Sequence, residues 1–277
     1  PILIQRQEHW ENNPTTEKNN TIWLPPSGTI GKDECYIPEG VFIYGGDQNA
    51  HNFNQRTRMW LSGFIIQKHQ ITHKQYIAYL HDLIQNGQRK KALELAPRER
   101  SSTKDDLGSL LYHFENDQFS LRADSDGDLW HQNWPAMMIS WHAANQYAQW
   151  KSKHEGVQWS LPSPEQWEKA ARGVDGRLFP WGDFCDAQWC LIRESKHPHP
   201  ADIHDFPQDI SPYGVRSMAG NCRDFTSKLD IEKTRVYVCG GSWWTSERYA
   251  RICGRHTFAL SDRNGNVGFR LIRPVLT

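Results

Sequence analysis

Apolar residues fall in short runs separated by long polar stretches. Cys35-Tyr36-Ile37 and Val41-Phe42-Ile43-Tyr44 predict short strands, as does Ile22-Trp23-Leu24 before them. Met59-Trp60-Leu61-Ser62-Gly63-Phe64-Ile65-Ile66 predicts one further strand, and Gly45-Gly46-Asp47 a turn. Beyond Thr72 the period changes. Tyr76, Ile77, Tyr79, Leu80, Leu83 and Ile84 recur at helical spacing, Gln75 completes a capping box with Thr72, and Gly87 ends the run. Lys90 to Glu99 reads as a short helix stopped near Pro97. Ser140 caps a helix holding Ala143, Ala144, Tyr147, Ala148 and Trp150. Ser163-Pro164-Glu165-Gln166 combines an N-cap, a proline at the first helical position and a closing Gln. That helix runs through Trp167, Ala170 and Ala171 to Gly173. From Phe179 onward Gly, Pro, Trp and Asn predict loops and short strands, ending in Val267-Gly268-Phe269-Arg270-Leu271-Ile272. No repeat, low-complexity tract or linker divides residues 1–277, so the pattern predicts a single α+β domain, loop-rich, with short strands and a few helices.

Composition narrows the partners. The 277 residues include 32 Lys+Arg and 32 Asp+Glu, a formal charge of zero. Nucleic-acid or anionic-membrane binding favours a basic excess or stripe, so neither partner is expected. No apolar run approaches the roughly 18 residues of a membrane span. The 13 tryptophans outnumber the 11 phenylalanines and 9 tyrosines, and each buried indole needs a partner for its N–H. Cys35, Cys185, Cys190, Cys222, Cys239 and Cys253 form no C-x-x-C pair and no zinc-finger spacing. They read as buried free thiols in a reducing, cytoplasmic setting. A chain opening at Pro1 predicts a fusion partner domain upstream of residue 1. Asp124-Ser125-Asp126-Gly127-Asp128 has the wrong spacing for an EF-hand and reads as a solvated turn. His197 and His199 alternate with Pro198 and Pro200, which reads as a loop.

Several motifs occur in order. They are Pro162-Ser163-Pro164-Glu165-Gln166-Trp167-Glu168-Lys169-Ala170-Ala171-Arg172-Gly173, Phe179-Pro180-Trp181-Gly182-Asp183, Ser211-Pro212-Tyr213-Gly214-Val215 and Met218-Ala219-Gly220-Asn221. Gly240-Gly241-Ser242-Trp243, Arg251, Arg255 and Gly268-Phe269-Arg270 follow. Together they resemble the formylglycine-generating enzyme, or sulfatase-modifying factor, family over roughly residues 36–273. Residues 1–35 are then an N-terminal strand extension. The resemblance implies a variant of the C-type lectin fold, scaffolded by Trp167, Trp181, Trp243 and the arginines.

It also implies chemistry that this chain has altered. The family's oxidation uses a copper-binding cysteine pair, since soft thiolates suit Cu(I). Counting back from Arg255, the nearer copper position falls at Glu247, and the farther one lies where the segment is shortened. Cys253 is displaced from both. No His set has the spacing of the iron-binding relatives. The implied calcium ligands match Ser217, Gly220, Cys222 and Asp224, a weak set of which Gly220, Cys222 and Asp224 remain candidates. At the family's second calcium site Cys190 replaces an Asn.

With no catalytic residue assigned, the expected function is a ligand-binding or sensor module for a protein or small molecule. The alternative is a non-haem iron or copper oxidoreductase of the same superfamily. The recognition surface would be Trp244, Thr245, Ser246, Arg248, Tyr249, His256, Thr257, Phe258, Asn264 and Asn266, between the two terminal anchors. Pro97-Arg98, Asp126-Gly127-Asp128-Leu129-Trp130, Trp134-Pro135 and Ser211-Pro212-Tyr213-Gly214-Val215 resemble domains fused behind bacterial serine/threonine kinases or other signalling domains. The C-terminal segment is similar to the variable proteins of diversity-generating retroelements.

Overall fold

The structure, a computed structural model, describes residues 24–99 and 108–275. The expected strand Ile22-Trp23-Leu24 lies almost wholly outside the described residues. The N-terminal half comprises β1 (Glu34–Ile37), β2 (Gly40–Tyr44), β3 (Thr57–Leu61), β4 (Phe64–Gln67), α1 (His73–Gln85) and α2 (Arg89–Leu95). A small hairpin follows, β5 (His113–Glu115) with β6 (Gln118–Ser120), then α3 (Trp141–Glu155) and α4 (Pro164–Arg172). The C-terminal part holds β7 (Arg223–Leu229), β8 (Arg235–Cys239), α5 (Glu247–Ala250), β9 (Arg255–Ala259), β10 (Val267–Gly268) and β11 (Ile272–Pro274). This is the α+β, loop-rich arrangement that the pattern predicts.

Local chemistry explains the helix starts. Gln75 N donates to Thr72 Oγ1 at 3.3 Å and Thr72 N to Gln75 Oε1 at 2.9 Å, so the capping box closes in both directions. Ser163 and Gln166 repeat it at 3.2 and 2.9 Å. Helix α2 stops at Leu95 because Pro97 forces Ala96 into an extended conformation, ψ 144°. Asp124 organises its turn as expected: Oδ1 accepts from Asp126 N and Asp128 N, and Oδ2 from Trp130 Nε1.

The run Met59–Ile66 is two strands rather than one. β3 pairs with β2, whereas β4 pairs with β1 on one side and β11 on the other. The chain changes sheets at Ser62-Gly63, a corner that apolar composition does not reveal. The second main sheet has the order β10-β7-β8-β9, with β10 parallel to β7.

Among the described residues two large cores hold these layers, beside a smaller cluster of Phe179, Cys190, Ile192, Ala219 and Ala250. In one, Tyr76, Tyr79 and Tyr147 bring α1 and α3 together at ring separations of 5.2–5.8 Å, and Phe269 packs on Tyr147 at 5.3 Å. In the other, Ile37, Phe64 and Ile66 pack with Trp167, Ala170 and Ala171 of α4. This helix is enclosed on nearly every side, so its charged residues Glu168, Lys169 and Arg172 are buried as well. Lys169 Nζ donates to the carbonyls of Pro38 (2.6 Å) and Gly40 (3.0 Å). Glu168 Oε1 accepts from Gly45 N (2.6 Å) and Arg172 Nη1 (2.7 Å). Gly45 cannot be another residue here, since its φ is +68° and a Cβ would lie 2.5 Å from the Asn54 carbonyl oxygen.

His73 supplies a pH test. It is fully buried, its Nδ1 sits 2.7 Å from the Tyr112 hydroxyl, its Nε2 has no partner, and burial pushes its pKa down to about 3. The unfolded chain protonates this ring near 6.5, so its contribution is full above that pH and declines as pH falls toward 3. Asp209, raised to about 6 by burial, acts in the opposite direction, so the informative quantity is a difference between variants. The stability advantage of the parent over His73→Gln is expected to shrink between pH 6.5 and 5 by up to about 1 kcal/mol per pH unit. Urea melts at several pH values would show this, and a constant difference would refute it.

Candidate ligand-binding face

Alternation along β7 organises the site. Neighbouring side chains on a strand point to opposite faces, so Arg223 and Asp224 cannot meet. Asp224 pairs in register with Cys239, and Cys239 with Arg255, which places these three on one face of the sheet. There Asp224 Oδ2 accepts from Arg270 Nε (2.7 Å) and Trp167 Nε1 (2.8 Å). Arg270 also donates to the carbonyls of Lys68 and Ser217. On the same side Arg255 approaches Glu168 at 3.6 Å. This face is the ion-paired frame.

Arg223 lies on the opposite face with Phe225, which is in register with Val238 and, through it, His256. Arg223 is 4% exposed and its Nε has no partner. Among the described residues no carboxylate pairs with its guanidinium. The group lies over the rings of Tyr249 at 4.8 Å and Phe258 at 6.0 Å, and burial lowers its pKa to about 10. His51, from the β2–β3 connection, completes the cluster. Its backbone is held by Arg248 O (3.3 Å) and Arg255 N (2.7 Å), and its ring sits 4.7 Å from Tyr249. His51 Nε2 and His256 Nδ1 are 3.3 Å apart. Burial, with the nearby arginines, pushes His51 down and His256 to about 4, so both rings are neutral at pH 7.

The residues expected at the surface separate into groups. Tyr249, His256 and Phe258 converge around Arg223, and Arg248 is exposed beside them. Trp244 is 66% exposed, resting edge-on against Trp243 at 5.4 Å. The Trp243 indole donates to Gly265 O at 2.8 Å, which ties the loop down. Thr245 is buried, and its Oγ1 accepts from Ser242 N at 2.8 Å. Asn264 is buried too, with its carbonyl accepting from Met138 N. Both hold the backbone rather than face solvent. Ser246 precedes α5, and the Asn266 carbonyl accepts from Arg223 N. Thr257 lies on the other face of β9 from His256 and Phe258, where its Oγ1 accepts from Arg235 Nε at 2.9 Å. Sequence reasoning missed Arg223 and His51. Strand alternation next to Asp224 could have found Arg223, whereas nothing local links His51 to His256.

The implied metals do not fit the donor sets. The Ser217 and Cys222 carbonyls, which a calcium ion would need, accept from Gln70 Nε2 at 3.1 and 3.2 Å. Asp224 Oδ2 is committed to Arg270 and Trp167, and Gly220 N donates to Asp209. A cation there would displace an amide and face a buried guanidinium, so Gly220, Cys222 and Asp224 do not make a calcium site. At the nearer copper position Glu247 pairs with Arg251 at 2.9 Å. Cys253 is buried, its thiol pushed up to about 11, and it points at the Asp47 carbonyl. That environment disfavours the thiolate which Cu(I) requires. Among the described residues no group of three or more His, Cys, Asp or Glu side chains is placed to hold a metal ion.

Residues 25–275 match the sulfatase-modifying factor enzyme 1-like domain. The chain is 27% identical to the uncharacterized protein YfmG of Bacillus subtilis over 232 residues, 73% of this chain and 42% of that protein. It is 27% identical to the inactive C-alpha-formylglycine-generating enzyme 2 of Bos taurus over 153 residues, 49% of each. It is 24% identical to the serine/threonine-protein kinase pkn1 of Chlamydia pneumoniae over 269 residues, 88% of this chain and 39% of the kinase. The chain thus spans about half or less of these curated relatives. Among solved structures, PvdO from Pseudomonas aeruginosa superposes with a TM-score of 0.66 at 18% identity, covering 93% of this chain and 99% of PvdO. Treponema denticola variable protein 1 gives 0.62 at 14% identity, covering 87% and 94%.

Proposed function

The chain belongs to the sulfatase-modifying factor enzyme 1-like domain family, and from that membership we propose that it acts as a ligand-binding or sensor module rather than an oxidase. One observation carries the reading. Side chains from segments about 200 residues apart converge on one face, His51 with Tyr249 and His256, above a frame of buried ion pairs. Loops on a rigid scaffold are where recognition concentrates, and aromatic residues give rigid contact area at low entropic cost. The altered copper position, with Glu247 engaged by Arg251, favours binding over thiolate oxidation.

A place within a larger bacterial signalling protein is part of the same proposal. The similarity to the Chlamydia kinase, over most of this chain and a minority of that protein, supports it. A cytoplasmic location is proposed with it. Among the described residues no helix is long and apolar enough to cross a membrane. A retroelement-diversified protein is the second form of the proposal, prompted by the Treponema fold match. It would confine variation to exposed positions between Trp244 and Asn266, because Ile252, Cys253 and Arg255 inside that segment are buried.

The test compares the parent with a Trp244→Ala, Tyr249→Ala double variant. Candidate partners from the same genomic neighbourhood, and small-molecule panels, are titrated against both. Binding is expected to weaken at least tenfold in the variant, and because Tyr249 covers the buried Arg223 guanidinium its loss also lowers the melting temperature, so both proteins are titrated well below their transitions. A partner that binds the variant as tightly as the parent would place recognition elsewhere.

A further inference from the structure

We propose that Arg223 anchors a subsite for the carboxylate of a small organic acid, whose apolar or aromatic body lies against Tyr249, Phe258 and the rings of His51 and His256. This rests on the binding-face reading above and names the chemistry the face takes.

The other buried arginines face carboxylates. Arg172 pairs with Glu168 at 2.7 Å, Arg270 with Asp224 at 2.7 Å, Arg273 with Glu34 at 2.6 Å, and Arg255 approaches Glu168 at 3.6 Å. Arg223 is as buried as these, at 4% exposure, yet among the described residues it has no carboxylate. Burying an unpaired charge is costly, and proteins avoid it unless something compensates. Among the described residues the nearby compensation is the π-faces of Tyr249 and Phe258. Rings cover the flat side of a guanidinium, whereas its N–H donors lie in the plane. At least Nε still lacks an acceptor.

A bidentate carboxylate satisfies that edge with two parallel hydrogen bonds and one negative charge. The charge count favours it over phosphate. His51 and His256 are held neutral, so among the described residues Arg223 is the one buried cation of the cluster, matched by a monoanion and insufficient for a dianion. Among the described residues the groups that act on Arg223 electrostatically are Tyr249, Cys222 and Cys239, none of them a carboxylate. The aromatic walls then select a flat or apolar body over a strongly hydrated one.

The purified chain is titrated with benzoate, benzamide and inorganic phosphate, following melting temperature and heat of binding. Benzoate is expected to bind saturably. Benzamide has the same shape without the charge and is expected to bind at least tenfold more weakly, and phosphate more weakly than benzoate. Arg223→Met should abolish the benzoate response while raising the melting temperature of the unliganded protein, because it removes an uncompensated buried charge. A purely structural Arg223 would give a lower melting temperature. Arg223→Lys keeps the charge without the planar fork and should weaken benzoate at least tenfold. The proposal is overturned by equal binding of benzoate and benzamide, by phosphate exceeding benzoate, by Arg223→Lys binding as the parent does, or by Arg223→Met failing to fold. If benzoate fails while the Trp244→Ala, Tyr249→Ala variant still loses its partner, only the carboxylate assignment falls. If both fail, the face itself is wrong.

Discussion

Asp224→Ala is expected to destabilise the protein by about 3–5 kcal/mol, the usual cost of removing one partner from a buried ion pair. Asp224 and Arg270 have side-chain exposures of 1% and 0%. The carboxylate also holds the indole N–H of Trp167, itself wholly buried in the second core. Its loss leaves a guanidinium and an indole donor without their anion, in a place water does not reach. Urea denaturation followed by tryptophan fluorescence measures the effect. The Asp224→Ala, Arg270→Met double variant should lose less than Asp224→Ala alone, because it leaves no uncompensated charge. A single-variant loss below about 1 kcal/mol, typical of a surface pair, would show that the frame is not built around this contact.

Glu168→Ala is the second large effect, again about 3–5 kcal/mol by the same mechanism. Glu168 is the only carboxylate that pairs with Arg172 and Arg255 among the described residues, and it also caps the Gly45 amide. Arg172 keeps the carbonyls of Gly45, Gly176 and Arg177, which lessens its own penalty. Arg255 keeps the Tyr44 hydroxyl. Glu168→Gln retains an acceptor for Gly45 and loses the charge, so it should fall between the parent and alanine. If Glu168→Gln and Glu168→Ala destabilise equally, the charge matters and the hydrogen bond to Gly45 does not.

Much of the fold was legible because its signals are short. Thr72 with Gln75 and Ser163 with Gln166 act across three residues, and Pro97 acts on its neighbour Ala96. The indoles of Trp167, Trp181 and Trp243 all find partners, as a Trp-rich, loop-built chain requires. Part of the site was legible too. Tyr249, His256 and Phe258 lie between the Gly-Gly-Ser-Trp and Gly-Phe-Arg anchors, where aromatic residues stand out. Thr245 and Asn264 lie in the same stretch but point inward, a difference that composition does not carry.

Chain chemistry alone therefore determined the starts of α1, α3 and α4, the α+β class, the family and the segment where recognition is expected. Each of these follows from interactions within a turn or from motifs read in order. Tertiary structure decided the rest. It split Met59–Ile66 at a sheet corner, because β3 and β4 find different partners. It buried Glu168, Lys169 and Arg172 of α4, because strands and loops surround a helix whose polar residues alone would suggest an exposed face. It joined His51 to His256 across 205 residues. And among the described residues it left Arg223 without a carboxylate beside Asp224, because alternation on β7 turns the two charges to opposite faces and Arg270 reaches only one of them.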